Sequence, residues 1–145
     1  MLDKDSQEMP SGNDQSSWSS HEAVVAEIKA MGGEAIANGG SVSDRAGAQS
    51  MVDDAMNAWG RVDVLINNAG ILRDKSFSKM TLDDFDMVVN VHLMGAAYCA
   101  HAVWPVMKAQ NYGRILMTTS PTGLYGNFGQ TNYGAAKLGQ VGLMH

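Results

Sequence analysis

The sequence predicts an α/β fold: an incomplete, doubly wound parallel sheet of three strands with about four helices. Two observations carry this expectation. Helical and extended patterns alternate along the chain with no hairpin signal between the extended runs, which is the pattern of βαβ units. Two apolar runs also end in polar residues suited to chemistry. Residues 62–66 run into Asn67-Asn68-Ala69-Gly70, and residues 114–119 run into Ser120. In a parallel sheet, ligands collect beyond the carboxyl ends of the strands.

Taken in order, residues 1–20 are polar and serine-rich, with too little apolar surface to offset ordering entropy, and read as a mobile leader. Residues 21–145 read as one partial domain. Ser19 with Glu22 forms a capping-box pattern. The stripe Val24, Ile28 and Met31 then predicts a helix, stopped by Gly32-Gly33. Residues 34–38 are a short strand candidate around Ile36. Ser43 is the expected cap of a second helix, whose stripe is Ala48, Met51, Val52, Ala55 and Trp59, ended by Gly60. Residues 62–66 form the second strand. Thr81, with Asp84 three residues on, caps a long helix with Phe85, Val88, Ala96, Val103 and Met107 inward. Pro105 is expected to kink or split it, and Gly113 to end it. Residues 114–119 are the third strand, and a Gly/Asn/Pro-rich loop covers 121–130. The last helix starts near Thr131 or Asn132 and runs to His145.

Composition narrows the function. The length allows one domain at most, and 45% hydrophobic residues can build its core. No uninterrupted apolar run approaches the roughly 18 residues of a membrane span. A net charge of −5 without a Lys/Arg cluster argues against a nucleic-acid surface. The single cysteine, Cys99, excludes an internal disulfide and fits a reducing compartment. No signal peptide or targeting signal is read, and a cytoplasmic location is expected. No His, Cys and carboxylate cluster has metal-ligand spacing.

Tyr133 and Lys137 lie one helical turn apart, and Tyr133 follows Ser120 by thirteen residues. Residues at i and i+4 share a helix face. A free tyrosine has a pKa of about 10 and is a poor acid–base group at neutral pH, but a neighbouring ammonium in a partly dry cleft favours its phenolate. A hydroxyl such as Ser120 can hold a substrate oxygen while the tyrosine moves the proton. Each element alone has a plainer explanation: tyrosines pack, lysines are solvated, and Asn-Asn makes turns. Their conjunction at strand ends and one helix start points to a single crevice.

At these residues the chain resembles the short-chain dehydrogenase/reductase family. Asn67-Asn68-Ala69-Gly70 matches that family's Asn-Asn-Ala-Gly motif, and Ser120, Tyr133 and Lys137 match its catalytic serine, tyrosine and lysine. The resemblance covers residues 21–145 and implies a Rossmann-like fold. Residues 69–77, 91–95 and 125–130 look closest to the (3R)-hydroxyacyl-CoA dehydrogenase domains of multifunctional enzymes and their bacterial relatives. This implies an NAD(P)-dependent oxidoreductase interconverting a secondary alcohol and a ketone, specifically 3-hydroxyacyl-CoA and 3-ketoacyl-CoA, with NAD favoured over NADP. By the same resemblance, Tyr133 is the acid–base, Lys137 lowers its pKa and holds the nicotinamide ribose, and Ser120 orients the substrate. Asn68, Ala69 and Gly70 line the adenosine side, with Ser41 and Val42 near the adenine. The expected partner is an acyl-CoA substrate, and the chain is expected to form a homo-oligomer without nucleic acid or membrane.

Two departures stand out. Where many family members place an active-site asparagine before Leu-x-Gly, this chain has His92, a candidate for a proton relay or for a buried structural contact. No Gly-x-x-x-Gly-x-Gly occurs in residues 1–20, where the family's first strand and pyrophosphate-binding turn would fall. The three strands resemble the family's third, fourth and fifth. Residues 34–38 are therefore expected either to slide across and pair with 62–66, or to leave an open edge. The alternative function is a non-catalytic fragment or interaction module of a short-chain dehydrogenase.

Overall fold

The computed structural model describes residues 15–145, with side chains described from His21 onward; residues 1–14 of the expected leader lie outside the described residues. The chain divides into two compact units, Met1–Gly39 and Gly40–His145. In the first, α1 spans Gln15–Ala30, so the helix begins ahead of the Ser19 cap expected for it. Gly32, at φ 84°, ends it, as a left-handed residue ends many helices. Residues 34–38 are irregular rather than a strand. Only Ile36 in that segment favours extended pairing, and glycine pairs bracket it on both sides.

The second unit holds the sheet. Helix α2 (Arg45–Trp59) is capped by Asp44, whose carboxylate accepts from the Gly47 N–H; the cap is thus one residue beyond the expected Ser43. Gly60, at φ 69°, closes it. Strands β1 (Val64–Asn67) and β2 (Arg114–Met117) pair in parallel, Val64 opposite Arg114 and Asn67 opposite Met117. The sheet therefore has two strands among the described residues rather than three, and β1 pairs with β2, not with 34–38. Its covered face meets α2 and the long helix of the β1–β2 crossover around Val52, Val103 and Met107, with Leu65 and Ile115 packed against them. On the other face Val64, Ile66 and Leu116 stay about half exposed within this unit.

The crossover from β1 to β2 is a continuous helical run. Thr81 caps α3 (Leu82–Val89) by accepting from the Asp84 N–H. A π turn follows at Asn90–Met94, closed by the Gly95 N–H on the Asn90 carbonyl, and α4 continues over Gly95–Gln110. Pro105 does not split α4 as expected. It and His101, whose carbonyl it leaves without an amide donor, both lie on the exposed side, where water can serve that carbonyl. Asn111, at φ 52°, ends the helix rather than Gly113. By length and composition the run Leu82–Gln110 could cross a membrane, but Val88, Ala96, Cys99, Val103 and Met107 are buried in the core. The 121–130 segment, expected as loop, contains the short helix α5 (Pro121–Tyr125), and α6 spans Thr131–Leu143.

Candidate functional site

Both strands end at one crevice, and their ends are tied together. The Thr118 N–H donates to the Asn67 carbonyl at 3.1 Å. Thr118 Oγ1 donates to Asn68 Oδ1 at 3.1 Å, and Asn67 Nδ2 approaches Met117 Sδ at 3.3 Å. Asn68, Ala69 and Gly70 are exposed just beyond. Ser120 caps α5: its Oγ accepts from the N–H of Thr122, the second helical residue, at 3.2 Å, and Pro121 fits the first position, where no N–H is needed. That bond uses one lone pair, so the hydroxyl keeps its proton to donate and a further acceptor site.

Helix α6 turns a polar face inward: Asn132, Lys137 and Gln140 are buried there beside Ala136. Fully buried lysines are uncommon unless partnered. Lys137 is 3% exposed, and its Nζ donates to the Thr118 carbonyl while lying 5.4 Å from the Tyr133 ring centre. Burial holds its ammonium pKa below the ordinary lysine range. Thr119 Oγ1 donates to the Lys137 carbonyl at 2.9 Å. A Cβ on Gly123 would come 2.7 Å from the Leu138 nitrogen. This close seating of α5 on α6 brings the helix that Ser120 caps against the helix that carries Tyr133 and Lys137.

His92 joins them from the π turn. Its ring is 4% exposed and meets the Tyr133 ring edge-on, centroids 5.1 Å apart at 90°. Nε2 lies 2.8 Å from the Ile71 carbonyl and 3.1 Å from the Ile71 nitrogen, while Nδ1 is buried without a protein partner. Burial pushes the imidazole pKa down and the Lys137 charge adds to this, with the Ile71 hydrogen bond opposing both. The neutral ring is therefore favoured. Gly70, expected on the adenosine side, has a second constraint: a Cβ there would sit 2.3 Å from His92 Cε1.

Thus His92, Tyr133 and Lys137 come together, and Ser120 joins through α5. Val42 lines a small pocket with Asn67, Asn68 and Ala69, packed against Gly95 where an added Cβ would meet it at 3.0 Å. Ser41 is exposed, its Oγ accepting from the Ser43 N–H at 3.2 Å. Sequence reasoning missed three positions. Asn132 is fully buried; its Nδ2 reaches the Arg73 and Asp84 carbonyls at 3.1 and 3.3 Å, and its Oδ1 accepts from the Tyr133 N–H at 2.8 Å. Gln130 Nε2 donates to Asp74 at 2.8 Å, tying the 121–130 segment to the loop after β1. Gln140 Nε2 donates to the His92 carbonyl at 2.8 Å, inside the π turn. Asn132 and Gln140 share four-residue spacing with Ala136, but polar residues at helical period ordinarily mark a solvated face.

For a nicotinamide dinucleotide the described residues fit two parts. Lys137 offers a buried cation beside Tyr133, and Asn68 to Gly70 offer open backbone at the strand end, with Val42 alongside. Among the described residues no glycine-rich turn faces where a pyrophosphate would need bare amides.

A family model described as short chain dehydrogenase matches residues 15–145. Peroxisomal multifunctional enzyme type 2 of Mus musculus is 53% identical over 125 residues, covering 86% of this chain and 17% of that protein. Peroxisomal hydratase-dehydrogenase-epimerase of Saccharomyces cerevisiae is 56% identical over 120 residues, covering 83% of this chain and 13% of that one. The crystal structure of a short chain dehydrogenase from Mycobacterium avium superposes with a TM-score of 0.79 at 40% identity, covering 84% of this chain and 45% of that chain. The chain therefore spans less than half the length of each of these relatives.

Proposed function

Because the chain belongs to the short-chain dehydrogenase family, we propose that it carries the hydride-transfer centre of an NAD(P)-dependent oxidoreductase that interconverts a secondary alcohol and a ketone. The observation that carries this reading is the meeting of Tyr133, Lys137 and His92 at the end of the β1–β2 pair, with Ser120 on the neighbouring helix. Bound NAD(P) would supply the hydride acceptor or donor. Tyr133 takes the proton from the substrate hydroxyl in one direction and returns it to the carbonyl oxygen in the other. Lys137 stabilises the negative charge that develops on the Tyr133 oxygen and would hold the nicotinamide ribose. Ser120 has a proton free to donate to the substrate oxygen, and His92 contacts the Tyr133 ring from inside. Asn68, Ala69 and Gly70 would line the adenosine side, with Ser41 and Val42 towards the adenine.

The substrate we favour is a 3-hydroxyacyl-CoA, oxidised to the 3-ketoacyl-CoA with NAD. Its support is the resemblance at 69–77, 91–95 and 125–130, and the multifunctional enzymes among the relatives. We place the chain in the cytoplasm and in a homo-oligomer; the buried free thiol of Cys99 is compatible with a reducing compartment. Two observations favour a second reading, a non-catalytic module. The outer face of the sheet, Val64, Ile66 and Leu116, is exposed within the second unit, and no pyrophosphate turn is seen among the described residues. Calorimetric titration with NADH and NADPH decides, with circular dichroism confirming that the chain is folded. Micromolar binding, and turnover of 3-hydroxyacyl-CoA that Tyr133→Phe abolishes, supports the dehydrogenase. A folded chain that binds neither nucleotide at millimolar concentration refutes it for this polypeptide.

A further inference from the structure

Two buried polar atoms beside the site make no hydrogen bond to the protein: His92 Nδ1 and Gln140 Oε1. Their residues are 4% and 1% exposed. The Gln140 amide has only one sensible orientation. Its NH2 must face the His92 carbonyl, an acceptor, at 2.8 Å, which turns Oε1 the other way. Both residues line the same pocket of about 90 Å³, together with Asn67 and Asn68 and apolar walls from Leu65 and Val91. A water needs only about 10–15 Å³ of such volume and two or more polar partners. Buried polar atoms in native proteins are nearly always satisfied by protein or ordered water.

We propose that this pocket is an internal water site bridging Gln140 Oε1 and His92 Nδ1, and that Gln140 is a positioning residue for the His92 ring. The shorter contact of Nε2 selects the tautomer. Nε2–H donates to the Ile71 carbonyl at 2.8 Å, the shorter of its two contacts. Nδ1 is then an acceptor. A water in the pocket donates one hydrogen to Nδ1 and the other to Gln140 Oε1. The same side chain holds the His92 carbonyl through its NH2 and the His92 ring through this water, so it sets the imidazole that meets Tyr133 edge-on. The consequence for proton transfer rests on the dehydrogenase reading; the water site and the tautomer do not.

The test uses the full 145-residue chain with ¹⁵N-labelled histidine. Long-range ¹H–¹⁵N correlation reports the His92 tautomer, assigned by loss of its signals in His92→Gln. Rotating-frame water spectra report long-lived water next to the imidazole and the Gln140 side-chain amide. The wild type is expected to show one Nε2–H pattern and bound-water cross-peaks to both groups. Gln140→Met, similar in length but without the acceptor, is expected to lose the water cross-peaks at the imidazole while the Nε2–H pattern set by Ile71 remains. A wild-type His92 protonated on Nδ1, or wild-type spectra without bound-water cross-peaks, overturns the proposal even if Gln140→Met fails to fold. Water cross-peaks at the imidazole that persist unchanged in a folded Gln140→Met overturn the role of Gln140. Cofactor titration is read separately: a bound water without nucleotide binding refutes the dehydrogenase reading and leaves this site standing.

Discussion

Gly70→Ala tests whether the strand-end glycine is set by the histidine behind it. Gly70 is not among the glycines with positive φ, so an alanine meets no backbone strain there. Its Cβ, however, would lie 2.3 Å from His92 Cε1, against about 3.4 Å for ordinary contact. The ring must therefore retreat by the difference, 1.1 Å. It has little room, because Tyr133 packs on it edge-on and Nε2 is held at 2.8 Å from the Ile71 carbonyl. Overpacking a tight site costs about 1–3 kcal/mol, and losing the Ile71 hydrogen bond adds about 0.5–1.5 kcal/mol. The expected loss is about 2–4 kcal/mol, or roughly 5–12 °C in melting temperature for a chain of this size. Urea unfolding followed by circular dichroism measures it. In a His92→Ala background the clash is gone, and the same substitution should cost less than about 0.5 kcal/mol. If Gly70→Ala unfolds within about 0.5 kcal/mol of wild type, or costs the same in both backgrounds, the coupling between Gly70 and His92 is wrong.

Asn132→Ala removes the side chain bonded to the Arg73 and Asp84 carbonyls and to the Tyr133 N–H; with these groups left buried, unfolding by urea should show a loss of about 2–4 kcal/mol. Lys137 has a folded-state pKa below its unfolded value, so the folded state is at a disadvantage while the lysine is charged in both states. Its contribution to stability rises as pH climbs from the folded pKa towards the unfolded one near 10.4, and Lys137→Met should lack that rise when urea midpoints are compared from pH 8 to 10.5. At Gly142 an added Cβ meets nothing within 4 Å, so Gly142→Ala should raise the melting temperature through about 0.4–1 kcal/mol of unfolded-state entropy.

Much of the scaffold was legible because its signals are local. Thr81 caps its helix with its oxygen on the Asp84 N–H as the spacing required, Gly60 closes α2 in the left-handed conformation, and the apolar runs ending at Asn67 and Ser120 lie side by side in parallel. The misses came where tertiary surroundings decide. Pro105 reads as a breaker, yet it sits on an exposed face that tolerates it. Ile36 reads as a strand, yet strands exist only as pairs, and pairing is not a property of five residues. Ser43 and Asp44 are both good caps, and only the geometry of the Gly47 amide chooses between them.

The site divides in the same way. Tyr133, Lys137 and Ser120 could be found because their chemistry is distinctive at fixed spacing. Asn132, Gln130 and Gln140 could not, because their partners are far along the chain: the Arg73 and Asp84 carbonyls for Asn132, the Asp74 carboxylate for Gln130, and the His92 carbonyl inside the π turn for Gln140. An asparagine or glutamine that binds backbone has the same spacing as one that faces water. The π turn accounts for one of these residues, Gln140. A helix widened by one residue disturbs the regular i+4 ladder, and the chain meets one of the carbonyls in that turn with Gln140 rather than with solvent. The turn also carries the His92 ring that meets Tyr133, and Gln140 on the polar face of α6 holds the carbonyl of that same residue.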